Sequence, residues 1–213
     1  MKKLTKWLIL VAALASLAWL MFGPFHFNKV AADDEEQSAT HVRWDIIHLD
    51  FSTTPNTVRA GGEAFASVDA NHVIRFTGSG TFVAPASGGT SNAVTGGGTW
   101  ETFGPGGVLT GSGTYHVTGL ASWQFANFQF PPPVLNDTID HGKGANGNAI
   151  LRIAYSDGSQ GILGVGCHGP GAPDGIQEGV IATKGYFTYW TREAPVAGVD
   201  KDRTSFHIMQ KKE

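Results

Sequence analysis

From residue 41 onward, apolar and polar residues alternate with a period of two, and the apolar phase slips at definite places. Val42, Trp44 and Ile46 alternate with His41, Arg43 and Asp45, after which Ile47, Leu49 and Phe51 carry the apolar positions one residue along. Such alternation marks a half-buried strand, and the slip predicts a bulge near Ile46 and Ile47. Residues 62–70 and 72–77 read as two strands meeting at the turn Asp69-Ala70-Asn71, since Asp and Asn tolerate unusual backbone angles. Between Leu120 and Phe130 the phase slips again, with Trp123 and Phe125 on one face and Phe128 and Phe130 on the other. Pro131-Pro132-Pro133, which has no ladder donors, ends that strand.

The clearest hairpin follows. Leu151, Ile153 and Tyr155 face a run in which Gly161, Leu163, Val165 and Cys167 alternate with Ile162, Gly164, Gly166 and His168. A two-residue Asp157-Gly158 loop would set the second apolar set beside Arg152. A three-residue loop, Ser156 to Gly158 with Gly158 left-handed, pairs Leu151 with Leu163 and Ala149 with Val165 and keeps one apolar face, so three residues are expected. Residues 176–183 and 185–192 form at least one more strand pair, and Thr204, Phe206 and Ile208 alternate with Ser205, His207 and Met209 in a last strand.

One phrase recurs three times, as Thr77-Gly78-Ser79-Gly80-Thr81-Phe82, Thr95-Gly96-Gly97-Gly98-Thr99-Trp100 and Thr110-Gly111-Ser112-Gly113-Thr114-Tyr115. Each copy reads as the start of a strand with an aromatic-over-glycine face and a hydroxyl face. Glycine inside a strand marks a bulge, a corner, or a place where a ring or backbone comes close; otherwise it only separates strand from turn. The three copies suit meander strands with a local echo, not a solenoid. Taken together the pattern predicts an all-β domain over residues 41–213, a single antiparallel barrel or sandwich of about 9–11 short strands. Residues 134–148 are its longest stretch without a strand pattern, a length that is often functional.

Composition agrees: 29 glycines among 213 residues, with abundant Thr, Val and aromatics, favour strands and turns. The N-terminus is different. Lys2, Lys3 and Lys6 precede an uncharged apolar run, residues 7–22, which is followed by Gly23-Pro24; Val30-Ala31-Ala32 then offers a cleavage site before Asp33. This is the layout of an export signal, so residues 1–32 are expected to be a hydrophobic signal or anchor helix. The run is shorter than the roughly 20 residues that comfortably span a bilayer core. Residues 33–40 read as an acidic flexible linker. The expected place of the domain is therefore outside the cytoplasm, secreted or held on the cell envelope through residues 7–22.

Removal of residues 1–32 takes four of the 15 basic residues and none of the 18 acidic ones, leaving 11 against 18, formally −7. A surface of that sign repels phosphate backbones, so no nucleic-acid partner is expected. Cys167 is the only cysteine, which excludes an internal disulfide. Cys167 and His168 are adjacent on a strand and point to opposite faces, so a packed thiol is expected, not a nucleophile with its base.

No established catalytic motif is present and no cofactor is expected. Glu101 and His116 lie on the hydroxyl faces of successive repeat strands and would meet if the aromatic faces align, giving an acid–base pair or a plain cross-strand ion pair. Asp137, Asp140 and His141 could supply metal ligands from the long loop, although their spacing matches no calcium loop. The aromatic residues Trp100, Tyr115, Trp123, Tyr186, Tyr189 and Trp190 are either core or platforms for sugars and apolar molecules, and Trp100, Tyr115, Trp123 and Trp190 are the candidate ligand-binding residues. The resulting expectation is an exported β-domain binding a glycan, an apolar small molecule or an envelope protein without catalysis. The alternatives are a hydrolase or isomerase working from a barrel mouth and a structural or adhesive surface protein. Polar ladders turned into a cavity favour a ligand site or an enzyme; ladders turned to water favour scaffold or adhesion.

Overall fold

The computed structural model describes residues 39–85, 89–131, 134–139, 142–191 and 198–209. The leader predicted for residues 1–32 and most of the linker lie outside the described residues. Thirteen strands follow one another: β1 (Thr40–Asp50), β2 (Thr57–Ala60), β3 (Ala64–Asp69), β4 (His72–Phe76), β5 (Ser79–Ala84), β6 (Val94–Phe103), β7 (Leu109–Phe128), β8 (Asn136–Asp137), β9 (Lys143–Tyr155), β10 (Gln160–Cys167), β11 (Gly179–Lys184), β12 (Phe187–Thr191) and β13 (Thr204–Met209). The chain is thus nearly all β in one large sheet, and the only helical turn among the described residues is the 3-10 segment Pro105–Gly107.

Two strands on either side of β7 each change neighbour part-way along. β9 pairs with β7 along one edge; along the other it pairs first with β13, through Lys143–Ala145, and then with β10, through Gly147–Ala154. β6 likewise has β7 on one edge, and on the other β5 through Val94–Gly97 and β4 through Trp100–Phe103. Two routes therefore lead from β9 back to β6. One runs through β10, β11, β12, β3 and β4, the other through β13, β1 and β5. With β6, β7 and β9 common to both, the pairings close into a ring of eight strands at one end and six at the other. All these pairs are antiparallel; β2 and β8, outside the ring, pair in parallel.

The inward residues form one core. Val42, Trp44, Ile46, Phe76, Phe82, Leu151, Ile153, Leu163 and Phe206 are all at most 1% exposed. At the six-strand end Trp123 meets Phe82 and Phe206 edge-on, at centroid distances of 5.3 and 4.7 Å. At the eight-strand end Trp100 meets Tyr155 in the same way at 5.7 Å. The repeated glycines serve these rings and the backbones beneath them. A Cβ on Gly80 would lie 2.8 Å from Trp44 Nε1 and 2.2 Å from the Thr95 carbonyl oxygen, and one on Gly113 would lie 3.1 Å from Trp100 Nε1. Close approach is thus what the phrase provides. The hydroxyl face is turned outward, with Thr77 and Thr99, and Thr81 and Thr95, paired Oγ1 to Oγ1 at 2.7 Å.

The three-residue hairpin is present as expected: Leu151 faces Leu163, Ala149 faces Val165, and Gly158 has φ +88°. The phase slips are real and each has a cause. Val42, Trp44 and Ile46 enter the main core, whereas Ile47 and Leu49 join Val58 and Ile139 in a second, smaller one, because β1 exchanges its partners β13 and β5 for β2 at that point. In β7 the register with β9 shifts between Val117 and Gly119, Leu120 and Ser122, and Phe125 and Asn127.

Two expectations need correction. The strands are more numerous than nine to eleven and not uniformly short: β7 spans 20 residues and β9 spans 13. The stretch 134–148 is also not all loop, since 143–148 is the first half of β9. Its glycines and asparagines hide a strand held by neighbours on both edges; buried Asn146 donates to Asn127 Oδ1 at 2.8 Å and accepts from the Gly169 N–H at 2.8 Å.

Candidate functional site

The candidate ligand-binding rings fall in different places. Trp100 and Tyr115 are core residues, 4% exposed, with Trp100 Nε1 donating to the Thr114 carbonyl and the Tyr115 hydroxyl to that of Thr77. Trp123 is half-buried and closes the six-strand end, while Trp190 is exposed on β12. Tyr189 is buried, and Tyr186 stands fully in solvent. Burial pushes the Tyr115 and Tyr155 hydroxyls well above their usual range.

Glu101 and His116 are not brought together. Register sets Glu101 opposite Ser112 and His116 opposite Gly97, and Glu101 instead takes Arg75 Nη2 at 2.6 Å, an arginine that also binds Glu63. Cys167 is packed, 1% exposed, with Sγ accepting from Gln129 Nε2; burial and the nearby Glu178 carboxyl push its thiol up. His168 faces away from it, with Nδ1 2.8 Å from the Ile176 carbonyl oxygen.

Asp140 and His141 lie outside the described residues. Among the described residues no group of three or more His, Cys, Asp or Glu side chains is placed to hold a metal ion. Asp137, however, has a partner that spacing alone does not reveal: its Oδ2 is 2.7 Å from His207 Nε2, while Oδ1 accepts from the Ile139 N–H. The segment 134–139 crosses the outer face of β13, so Ser205 and His207, on the polar side of that strand, are 4% and 1% exposed. Beside them on β1, Arg43 donates to both oxygens of the fully buried Asp45 at 2.8 Å.

Below this segment is a cavity of about 320 Å³, the side cleft. One wall is apolar, built by the second core at Ile47, Leu49, Val58 and Leu135; the opposite wall carries Asp137, Glu178 and Ser205. Glu178 Oε1 accepts from the Thr204 N–H at 2.7 Å, and Oε2 accepts from the His168 N–H. Burial outweighs these donors and raises the carboxyl to about 7. Among the described residues, Ser205 Oγ and His207 Nδ1 are buried without a hydrogen-bond partner. The cleft thus combines an apolar face with a polar wall of Asp137, Glu178, Arg203 and the unpaired Ser205 hydroxyl, which suits holding a small molecule with one polar and one apolar side.

Sequence reasoning passes over Glu178, Ser205 and His207. Alternation puts the last two on a face that looks solvated; the signal that it is covered is Leu135 and Ile139, apolar residues in a loop that need something to pack against.

Neither a protein-family model, a curated protein nor a solved structure matches this chain.

Proposed function

We propose that the chain is an exported or envelope-anchored β-barrel domain that binds a small ligand without catalysis, and that the side cleft is where it binds. The closing of the strand pairings supports a barrel over a sandwich. The rings packed through its interior turn attention from a central cavity to the wall. Residues 1–32 support the location through their lysine-flanked apolar run.

The observation that carries the reading is the Ser205 hydroxyl, buried without a partner at the edge of the side cleft. A buried hydroxyl left unpaired costs about 1–3 kcal/mol, which a ligand or bound water able to pair with it recovers. A volume of about 320 Å³ accommodates a small molecule. Against hydrolysis, Ser205 and His207 make no hydrogen bond to each other, so serine has no general base in place. The outward hydroxyl ladder on β5 and β6 favours the second reading, a structural or adhesive surface protein.

Native mass spectrometry of the domain, purified without refolding, tests the binding reading. The expected result is an added small mass on the wild-type protein that disappears in Ser205→Trp, whose ring fills the cleft, with the circular dichroism unchanged. Only the bare protein mass in the gentlest conditions, or an adduct untouched by Ser205→Trp, sinks it.

A further inference from the structure

The eight-strand end has its own concavity, remote in construction from the side cleft. Four hairpin turns meet there: residues 70–71 between β3 and β4, 104–108 between β6 and β7, 156–159 between β9 and β10, and 185–186 between β11 and β12. Between them lies a cup of about 500 Å³, to which each turn contributes: His72 from the first, Phe103 and Thr110 from the second, Asp157 and Ser159 from the third, Lys184 and Phe187 from the fourth.

Its charges are already matched. Lys184 points inward from β11, with Nζ 3.9 Å above the Trp100 ring and 4.1 Å above that of Tyr155, and donates to Asp157 Oδ2 at 2.5 Å and Ser159 Oγ at 3.0 Å. Asp157 Oδ1 accepts from the Ser159 N–H and hydroxyl at 3.0 and 2.7 Å. His72 Nδ1 is 2.9 Å from Asp69 Oδ1. A charged ligand entering the cup would have to break one of these pairs; a neutral one would not. The hydroxyl groups keep spare capacity, because Ser159 and the pair Thr110 and Thr102, 3.0 Å apart, each have lone pairs beyond those engaged.

The wall opposite is aromatic. Phe187 stacks on the His72 ring at 5.0 Å and 28° and lies 5.9 Å from Tyr189, yet is 42% exposed; Tyr186 beside it stands free at the rim. An open ring face set across from a row of hydroxyls and a saturated carboxylate matches a molecule with a C–H face and a hydroxyl edge. From this arrangement we infer that the cup at the hairpin-turn end is a binding site for a neutral saccharide, separate from the side cleft.

Saturation-transfer NMR with neutral trisaccharides of glucose, mannose and N-acetylglucosamine at millimolar concentration tests it. At least one is expected to receive magnetisation through its C–H protons, equally at low and high salt, and to bind about tenfold more weakly to Phe187→Ala. Phe187 is 42% exposed and stacks on His72, so a modest loss of stability is expected with the fold kept, which an unchanged circular dichroism spectrum checks. The inference is overturned if no neutral trisaccharide binds the wild-type protein, if Phe187→Ala binds as well as wild type, or if only a uronic-acid saccharide binds and salt releases it.

Discussion

At the hairpin-turn end, Lys184 turns inward over two aromatic rings and finds its carboxylate, Asp157, in the neighbouring hairpin. At the loop end, Ser205 and His207 are covered by a segment that arrives from between β7 and β9, and part of their hydrogen-bonding capacity is left unused. Both ends bury polar groups, but the partners come from different distances. Where partner strands are adjacent in the ladder, register places donor and acceptor together and nothing more is needed. Where a loop lies across an outer face, its few residues satisfy some groups and not others. The unused buried hydroxyl at the side cleft is what supports the proposed ligand site there.

The contrast can be broken most forcefully at the turn end. Trp100→Ala removes the ring beneath Lys184 and above Gly113 and is expected to cost about 3–5 kcal/mol in urea unfolding, since a buried ring is lost and a cavity left. A similar loss from a substitution around Ser205 would erase the distinction between the ends.

Next comes Glu178. Its carboxyl is raised from the usual 4.5 to about 7, so the folded state prefers the neutral acid. The stabilisation is complete below pH 4.5 and fades as the pH rises through about 7. Unfolding of wild type across this window should show the decline, and Glu178→Gln should flatten it; a wild-type stability that instead rises with pH contradicts the assignment.

Lys184→Met sharpens the other side. It keeps the stem over the rings but removes the charge, with an expected loss of about 1 kcal/mol. The Asp157 carboxyl, held at about 2 by Lys184 and the Ser159 hydroxyl and N–H, should move back toward its usual 3.8 in an NMR titration. Its contribution is present above pH 3.8 and lost as the pH falls through about 2, and the variant should show a weaker dependence, since the Ser159 hydroxyl and N–H still hold the carboxylate. The last pair runs in opposite directions. Thr204→Ala, which loses a 2.5 Å bond to the Gly166 carbonyl, should cost about 1 kcal/mol, whereas Ser205→Ala removes a buried hydroxyl that has no partner and should raise stability by about 1 kcal/mol.

Much of the sheet was legible because alternation depends only on pleat geometry. The sorting of rings and hydroxyls to opposite faces and the three-residue turn at Ser156–Gly158 follow from which residues share a face, but which face turns inward does not, and Trp100 and Tyr115, candidate ligand-binding rings in the sequence, are core residues. The β1 slip was equally readable, though its reason, a change of partner and of core, belongs to tertiary structure. β2 and the first half of β9 were missed for the opposite reason: Thr57–Ala60 is too short to show a period, and the glycine and asparagine at 144–148 have weak strand preference that two neighbours override. The candidate site was legible only at Asp137. His207 is 70 positions away, and spacing cannot say that a loop will fold back onto the last strand. Glu101 and His116 failed for a related reason, since the shared phrase aligned their faces but not their rungs.

Pairing of β1 with β13 sets Val42 beside Ile208, so the opening and closing strands of the described fold are direct neighbours. The three-strand route of the ring cannot be completed until β13 arrives. A chain emerging in order must keep the exposed edge of β1 waiting through nearly the whole synthesis, and contacts of such long sequence separation slow folding. Assembly of this protein is accordingly expected to be slow and late, with the unpaired β1 edge as the step most exposed to aggregation.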